Sequence, residues 1–293
     1  MLITVCLLAG CASASTSVPP TSTSISISVP ISTRALTPTP TPIRIERQAT
    51  PSKLVWSDEF NGSVGALPDP SKWSPDVGGS GWGNKQLEYD TDNKNAYQDG
   101  QGNLVLEARK SNPEGLKCWY GTCQYTSART GTDGHFSFTY GRLEARIKIP
   151  YGQGIWPAFW LLGSNVATVG WPACGEIDVA EDTGSSISLN HAAIHGPNSL
   201  TKDFFSQPGN FADSFHVFAL QWTPNALSFF MDGIQYGILN KVSDPQDWVF
   251  NHPFSIILNV AVGGNWPGNP DASTVFPQKM YVDYVRVYTL NSY

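Results

Sequence analysis

The chain has 293 residues and a formal net charge of −6, which leaves room for one large domain with a sizeable core and additional segments. The mildly acidic balance contains no basic block, so we expect no nucleic-acid partner. Ten Trp, eleven Tyr and fourteen Phe, together with 27 Gly and 22 Pro, are typical of an all-β protein with many turns and also suit a protein that stacks on sugar rings.

The first eleven residues are nearly all apolar or small and are too few to span a membrane, so segment 1–11 is predicted to be an export signal. Leu-Ala-Gly-Cys at 8–11 resembles the bacterial lipobox, in which Cys11 carries the lipid. Cleavage after Ala-Ser-Ala at 12–14 is the alternative, and no basic residue precedes Arg34. We therefore expect a bacterial protein that is secreted or held at the cell surface by a lipid anchor at Cys11.

Segment 12–50 is dominated by Ser, Thr, Pro and short aliphatic residues. Such a composition buries too little apolar surface to offset the entropy of ordering it. We predict a disordered linker at 12–50 that holds a folded domain, 51–293, away from its anchor.

The domain is predicted to consist of strands, with no amphipathic helix of useful length. Segment 141–149 alternates strictly between polar and apolar residues, as a half-buried strand does. Segment 227–239 has Asp232-Gly233 between two apolar runs, which is the strongest short hairpin signal. The other predicted strands are 104–108, 216–222, 254–262 and 280–288. Many short strands separated by turns predict an all-β antiparallel sandwich of the jelly-roll type.

Three cysteines remain in the domain. In an exported protein Cys118 and Cys123 could close a small disulfide loop, which would leave Cys174 unpaired. A zinc site is excluded because no fourth ligand lies near them in the sequence.

The most informative segment places three carboxylates within six residues of a predicted strand. Glu176 and Asp178 are two residues apart and therefore share a face, whereas Glu181 has an odd offset that would turn it to the opposite face. A β-bulge adds one residue to a strand and reverses that parity, so we predict a bulge at Val179-Ala180.

With that bulge the Cα atoms of Glu176 and Glu181 lie roughly 13 Å apart, about four strand rises. Their carboxyl groups can then approach to about 5 Å, the separation of a retaining glycosidase. Three carboxyls this close cannot all ionise easily, so at least one pKa is expected to rise and keep an acid protonated near neutral pH. A solvated acidic strand and a calcium site remain open as alternatives on spacing alone.

The sequence Glu-Ile-Asp-Val-Ala-Glu at 176–181 resembles the signature of glycoside hydrolase family 16 in its longer, bulged form. The similarity runs from about Trp56 to Tyr288. It includes Trp-Ser-Asp-Glu-Phe-Asn-Gly at 56–62, Gly-Trp-Gly-Asn at 81–84, Tyr-Thr-Ser-Ala-Arg at 125–129, Gly-Ile-Trp-Pro-Ala-Phe-Trp-Leu at 154–161, Asn-Val-Ala-Val-Gly-Gly-Asn-Trp-Pro-Gly at 259–268 and Val-Asp-Tyr-Val-Arg-Val-Tyr at 282–288.

The resemblance implies a concanavalin-like jelly roll with a concave substrate cleft and a retaining double displacement. By position, Glu176 resembles the nucleophile, Glu181 the acid/base, and Asp178 the carboxylate that orients the nucleophile. The laminarinase-like branch carries the bulged signature, so the expected substrate is β-1,3-glucan, with mixed-linkage β-1,3-1,4-glucan as an extension, cleaved endo. No catalytic cofactor is implied, and we expect a monomer.

The resemblance also implies the residues that bind substrate. Trp156 and Trp160 lie four residues apart in a predicted strand and so face one way. The complete predicted set is Asn84, Arg129, Trp156, Trp160, Trp171, His195 and Trp266. Core packing is the alternative for Trp156 and Trp160, and a loop hydrogen bond is the alternative for His195. Gln86 and Glu88 depart from the family, whose members often carry Glu and Gln at these two positions.

Many family members bind a structural Ca²⁺ away from the cleft, and the matching ligands here would be Glu59, the Gly102 carbonyl and Asp283. Two rival functions remain open. One is a hydrolase of the same fold that acts on lichenan, agar, carrageenan, xyloglucan or galactan. The other is a non-catalytic glucan-binding protein or lectin, which the intact carboxylate trio argues against.

Overall fold

A computed structural model describes residues 51–186, 188–198, 201–206, 212–241 and 248–291. All of these described residues belong to one compact unit, Arg47–Tyr293. The predicted signal 1–11, the lipid-bearing Cys11 and the linker 12–50 lie outside the described residues and stay predictions. Within the described ranges no helix has the length and apolar character that crossing a membrane requires.

The domain is built almost wholly from strands, as its turn-rich composition indicates. In chain order they are β1 (Pro51–Asp58), β2 (Ser74–Pro75), β3 (Glu88–Asp90), β4 (Ala96–Gln98), β5 (Leu104–Ala108), β6 (Lys117–Cys118), β7 (Gly121–Thr122), β8 (Tyr125–Ser127), β9 (Arg129–Gly131), β10 (Gly141–Lys148), β11 (Ile155–Gly163), β12 (Glu176–Glu181), β13 (Asn190–His195), β14 (Thr201–Ser206), β15 (His216–Thr223), β16 (Ala226–Met231), β17 (Ile234–Asn240), β18 (Phe254–Val262) and β19 (Gln278–Leu290). One helical turn, α1 (Val166–Val169), lies between β11 and β12.

Two large antiparallel sheets form the architecture. The first has the strand order β17-β16-β15-β10-β19-β5-β4, and β1 also pairs with β19. The second has the order β14-β13-β12-β11-β18-β9-β2 and contains the carboxylate-rich strand β12 near one side. Two small pairs complete the domain, β3 with β8 in parallel and β6 with β7 as a hairpin. The predicted all-β, antiparallel jelly roll is confirmed.

Local sequence patterns explain why these segments become strands. Strand β10 buries Leu143, Ala145 and Ile147 on the apolar side of its alternation. The hairpin between β16 and β17 turns at Asp232 and Gly233, whose φ angles of 49° and 78° match the two-residue turn that Asp-Gly favours. The six predicted strand segments all appear, with ends shifted by no more than a few residues.

A single buried apolar cluster joins the two sheets. It includes Leu143 and Phe218 from the first sheet and Ile177 and Leu258 from the second. Burying a side chain of this size contributes about 1.5–3 kcal/mol. Because Ile177 of β12 points into this cluster, its neighbours Glu176 and Asp178 must point to the opposite face of the second sheet, which we call the cleft face.

Candidate active site

Strand β12 contains the predicted bulge. In its register with β11, Asp178 lies opposite Trp160 and Ala180 lies opposite Phe159, so Val179 is an extra residue without a partner. The register with β13 shifts at the same place. Beyond the bulge Glu181 therefore returns to the side of Glu176 and Asp178, and all three line one cavity. The bulge predicted at Val179-Ala180 is confirmed.

A tyrosine from the first sheet binds the bulge. The Tyr236 hydroxyl donates to the Val179 carbonyl at 3.2 Å and accepts a bond from the Asn190 side-chain amide at 2.9 Å. The Val179 carbonyl thus has a hydrogen-bond partner, although Val179 has no paired residue on the neighbouring strand β11. Nothing in the local sequence of β12 pointed to Tyr236, because this contact joins residues 57 positions apart.

The approach to β12 requires glycine. Gly175 has a φ of 76°, and a Cβ atom there would lie 2.8 Å from the Phe254 ring. A larger residue would be strained by its backbone and would collide with the core. Gly175 therefore fixes the position at which the chain enters the strand immediately before Glu176.

The cavity on the cleft face has a volume of ≈ 290 Å³. Its walls come from β9, β11, β12, β18, the loop before β3 and the segment before β12. The lining residues are Trp82, Gly83, Asn84, Gln86, Arg129, Trp156, Ala158, Trp160, Leu162, Trp171, Glu176, Asp178, Glu181 and Asn259. Five of the seven predicted substrate-binding residues are among them, and the other two, His195 and Trp266, lie at its borders.

Each glutamate receives a hydrogen bond from a tryptophan. Trp156 donates its indole N–H to Oε1 of Glu181 at 2.9 Å, and Trp171 donates to Oε2 of Glu176 at 3.0 Å. Trp156 is largely buried, whereas Trp171 is 59% exposed at the mouth. Both indoles thus hold a carboxylate in place while their rings form part of the cavity wall.

The electrostatic environment separates the two glutamates. Burial raises the pKa of Glu181 well above its ordinary value, and the charges of Asp178 and Glu176 raise it further. Burial also raises the pKa of Glu176, but His195, the Trp171 hydrogen bond and Arg129 all oppose that rise. Glu176 therefore ionises at a lower pH than Glu181, and Glu181 keeps its proton where Glu176 has lost its own. This is the difference that a nucleophile, Glu176, and a general acid, Glu181, require.

Asp178 lies between the two and is buried. Burial raises its pKa well above the usual range, and the charges of Glu176 and Asp203 add to the effect. His195 Nε2 stands 3.4 Å from Oδ2 of Asp178 and 3.8 Å from Oε1 of Glu176. His195 thus belongs to the carboxylate cluster rather than to a distant loop, and a protonated Asp178 can sit beside an ionised Glu176.

Arg129 lies between two indole rings. Its guanidinium carbon is 4.4 Å from the centre of the Trp82 ring and 4.8 Å from that of Trp160, and its Nε donates to Asp76 at 2.8 Å. Trp160 in turn donates its N–H to Asn259 at 2.8 Å. These stacked and hydrogen-bonded groups form a rigid, polar wall opposite the carboxylates.

The loop that carries Trp82 and Asn84 is supported by a disulfide hairpin. Cys118 and Cys123 form a disulfide beside β6 and β7, while Cys174 is free and buried. Within that hairpin Trp119 donates its indole N–H to the Gln86 carbonyl at 2.8 Å, and Tyr120 donates its hydroxyl to the Leu87 carbonyl at 2.6 Å. The sequence-based pairing of the cysteines is confirmed, and the hairpin positions one wall of the cavity.

Six lining residues were missing from the predicted set, namely Trp82, Gly83, Gln86, Ala158, Leu162 and Asn259. Trp82 and Asn259 belong to segments that carry the family resemblance, so their positions could have been inferred from it. Gln86 had been noted only as a departure. Trp266 contacts both Trp156 and His191 at the border of the cavity.

Two of the three residues predicted to bind calcium, Glu59 and Asp283, form ion pairs with arginines in this structure. Both oxygens of Glu59 accept bonds from Arg286, at 3.0 and 2.7 Å, and Asp283 accepts from Arg146 at 2.7 Å. Among the described residues, the one group of three acidic, His or Cys side chains that could reach a common ion is Glu176, Asp178 and His195. Two of its members, Glu176 and Asp178, belong to the carboxylate trio of β12.

A model of the family described as "Glycosyl hydrolases family 16" matches residues 83–286, which include β12 and every lining residue except Trp82. The chain belongs to glycoside hydrolase family 16. It is therefore a glycosidase, and the cavity that β12 lines is its candidate active site. Catalysis in this family needs no cofactor.

Similar proteins include a β-glucanase from Rhodothermus marinus, which is 41% identical over 256 residues covering 80% of this chain and 85% of the relative. Among solved structures, the laminarinase catalytic domain from Thermotoga maritima is 43% identical with a TM-score of 0.76, covering 82% of this chain and 99% of that one. The endo-β-1,3-glucanase from Pyrococcus furiosus is 44% identical with a TM-score of 0.74, covering 82% and 95%.

Proposed function

We propose that this family 16 hydrolase cleaves internal β-1,3 linkages of glucan with retention of anomeric configuration. The observation that carries the proposal is the bulge at Val179, since it places Glu176, Asp178 and Glu181 on one cavity wall. The names of the similar β-glucanase, laminarinase and endo-β-1,3-glucanase support the choice of substrate.

The first half of the reaction uses the different protonation of the two glutamates. Glu181, whose pKa is raised by burial and neighbouring charge, gives its proton to the glycosidic oxygen. Glu176 attacks the anomeric carbon of the sugar in the cavity, and the bond to the leaving sugar breaks. Asp178 keeps its proton beside Glu176 and orients it, because burial and the Glu176 charge disfavour ionisation of Asp178.

The second half reverses the role of Glu181. Having lost its proton, Glu181 accepts one from a water molecule, whose oxygen attacks the anomeric carbon and releases Glu176. The two inversions restore the original configuration. The indole N–H of Trp156 stabilises the charged form of Glu181 in this half reaction, because a hydrogen bond to the carboxylate favours ionisation.

Substrate selectivity can be measured directly. We expect reducing sugar to be released from laminarin, with slower release from mixed-linkage lichenan and none from agarose or xyloglucan. A Glu181→Ala variant provides the background rate for each polymer. If wild-type protein released no product from laminarin but acted on one of the other polymers, the substrate assignment would be wrong while the hydrolase assignment would stand.

Calcium binding stays a prediction. An ion held by Glu59, the Gly102 carbonyl and Asp283 would displace Arg286 and Arg146 from the two carboxylates, so the donor set does not fit the ion as it stands. If calcium binds the folded state, the midpoint of thermal unfolding should be higher in calcium than in EDTA. Equal midpoints would show that calcium does not bind the folded state preferentially, and the calcium prediction would be wrong.

A further inference from the structure

Three side chains that can ligate a metal meet on the cleft face. Glu176 of β12 lies opposite His195 of β13 in register, and Asp178 lies two residues further along β12. Residues that are paired in an antiparallel ladder point to the same face, and so do residues two apart in one strand. As a result, one ligand atom from each of the three side chains lies within 4.8 Å of the other two.

The spacing of these atoms matches a small tetrahedral ion. The Nε2 atom of His195 is 3.4 Å from Oδ2 of Asp178 and 3.8 Å from Oε1 of Glu176. Zn²⁺ binds nitrogen and oxygen ligands at about 2.0–2.2 Å in tetrahedral geometry, so two of its ligands lie roughly 3.3–3.6 Å apart. The first distance already falls in this range, and the second is slightly longer.

The Asp178 carboxylate provides an observation that is independent of this spacing. Its side chain is buried, with 2% exposed, and its Oδ2 atom accepts no hydrogen bond from any described residue. This is the same oxygen that faces His195. Buried carboxylates in proteins are paired, hydrogen-bonded or bound to a metal. An ion between Asp178 and His195 would give this oxygen the partner that it lacks.

An ion can reach the three side chains from solution. Glu176 and Asp178 line the cavity of the cleft face, and the exposed Trp171 lies at its mouth. Trp171 donates to Oε2 of Glu176, which leaves Oε1 of that carboxylate directed toward His195. The cavity also has room for a water molecule as the fourth ligand of a tetrahedral ion.

The charges around the three side chains favour a cation. Glu181 interacts electrostatically with both carboxylates and adds a further acidic group to the same wall. Arg129 also acts on Glu176, but its charge is balanced by an ion pair with Asp76 at 2.8 Å. A divalent ion would therefore enter a surrounding in which acidic groups predominate.

We propose that Glu176, Asp178 and His195 bind one Zn²⁺ ion through Oε1, Oδ2 and Nε2, and that the bound ion inhibits the enzyme. We call these three side chains the zinc site. An imidazole nitrogen among the ligands favours Zn²⁺ over Ca²⁺, which takes six to eight oxygen ligands. The cysteines of the domain take no part in this site.

Inhibition follows from the identity of the ligands. A metal binds deprotonated ligands, so Zn²⁺ displaces the proton that Asp178 holds in the free enzyme. A Glu176 carboxylate that coordinates Zn²⁺ is a weaker nucleophile, and the ion fills the space beside it that the sugar would occupy. Zn²⁺ and glucan therefore exclude each other. The inhibition rests on the proposed function, whereas the binding of Zn²⁺ does not.

Calorimetric titration of the full chain with ZnCl₂, in the absence of an affinity tag, tests the binding. We expect one Zn²⁺ ion per chain in the wild type. Loss of a group that merely orients a metal ligand costs about 10- to 100-fold in affinity, so His195→Gln and Asp178→Asn should each weaken binding at least that much. Thermal unfolding of each variant without metal verifies that it is folded.

The matched control is His135→Gln. His135 is exposed, contacts Ser74 at 2.8 Å and does not line the cavity, so this variant should keep the wild-type affinity for Zn²⁺. An equal fall in His135→Gln, unchanged affinity in both His195→Gln and Asp178→Asn, or a wild type that binds no Zn²⁺ would each overturn the zinc site.

Hydrolysis of laminarin tests the inhibition separately. Zn²⁺ should raise the apparent KM and leave kcat unchanged, and EDTA should restore the original rate. Full activity of the wild type at a Zn²⁺ concentration that saturates the calorimetric site would overturn the inhibition. A wild type that binds Zn²⁺ at this site but never releases sugar from laminarin would count against the proposed function instead.

Discussion

Replacing Glu181 with alanine is expected to lower turnover of β-1,3-glucan by about 10²- to 10⁴-fold, the usual contribution of a general acid. Replacing Glu176 should cost at least as much, because no covalent intermediate can form without it. The two losses should differ in their dependence on the leaving group. An aryl glycoside with an acidic phenol needs no proton to depart, so formation of the intermediate should recover in Glu181→Ala but not in Glu176→Ala.

A matched carboxylate outside the cleft provides the control. Glu114 is exposed and pairs with Lys94 at 2.6 Å, a surface ion pair of the kind that contributes little to stability. Glu114→Ala should therefore keep wild-type turnover on both substrates. The steady-state rates of all three variants are measured on laminarin and on the aryl glycoside. Equal behaviour of Glu176→Ala and Glu181→Ala toward the two leaving groups would contradict the assigned roles.

Asp178→Asn is expected to lower kcat/KM by about 10²-fold, the scale of a misplaced reacting group, because it removes the carboxyl that orients Glu176. It should also change the pH dependence. Asp178 keeps its proton while Glu176 ionises, but it has lost that proton at the higher pH at which Glu181 titrates. Its charge there raises the pKa of Glu181, so replacing the carboxyl group with an amide lowers that pKa. Activity requires Glu181 to be protonated, and the alkaline limb of the kcat/KM profile should therefore move to lower pH.

Trp156→Phe is expected to move the alkaline limb of the kcat/KM profile in the opposite direction. The indole N–H stabilises the ionised form of Glu181, so its loss raises the pKa of Glu181 and should move the alkaline limb to higher pH. A profile of kcat/KM against pH for wild type and the two variants separates the effects. If both substitutions moved the alkaline limb in the same direction, that limb would not report the ionisation of Glu181.

Much of the fold followed from local sequence patterns. Period-two alternation located β10, and Asp232-Gly233 located the hairpin between β16 and β17, because both signals depend only on neighbouring residues. The bulge in β12 followed from parity, since Glu181 could join Glu176 only if the strand carried an extra residue. Strand order across the two sheets depends on long-range pairing and had no comparable local signal.

The walls of the site were harder to infer because they are assembled from distant segments. The stacking of Arg129 between Trp82 and Trp160 joins β9, a loop and β11, and no spacing in the sequence predicts it. The partners of the expected calcium ligands were also missed. Arg286 reaches Glu59 across 227 residues, a pairing that becomes evident only once β1 lies beside β19.

The contact between Trp266 and His191 also depends on long-range pairing. The place of Trp266 in the sequence, shortly after β18, gave no sign that it would reach His191 on β13. Contacts between side chains on strands that are distant in the sequence can be inferred only when the pairing of those strands is known.

The central claim is that the bulge turns Glu176 and Glu181 toward one sugar, with Glu176 as the nucleophile and Glu181 as the acid/base. The anomeric configuration of azide products tests this claim most directly. Azide added to Glu176→Ala should attack from the empty nucleophile side and yield the α-glycosyl azide. Added to Glu181→Ala it should attack the glycosyl-enzyme and yield the β-anomer. Proton NMR of the anomeric signal distinguishes them. The same anomer from both variants, or the reversed assignment, would contradict the account.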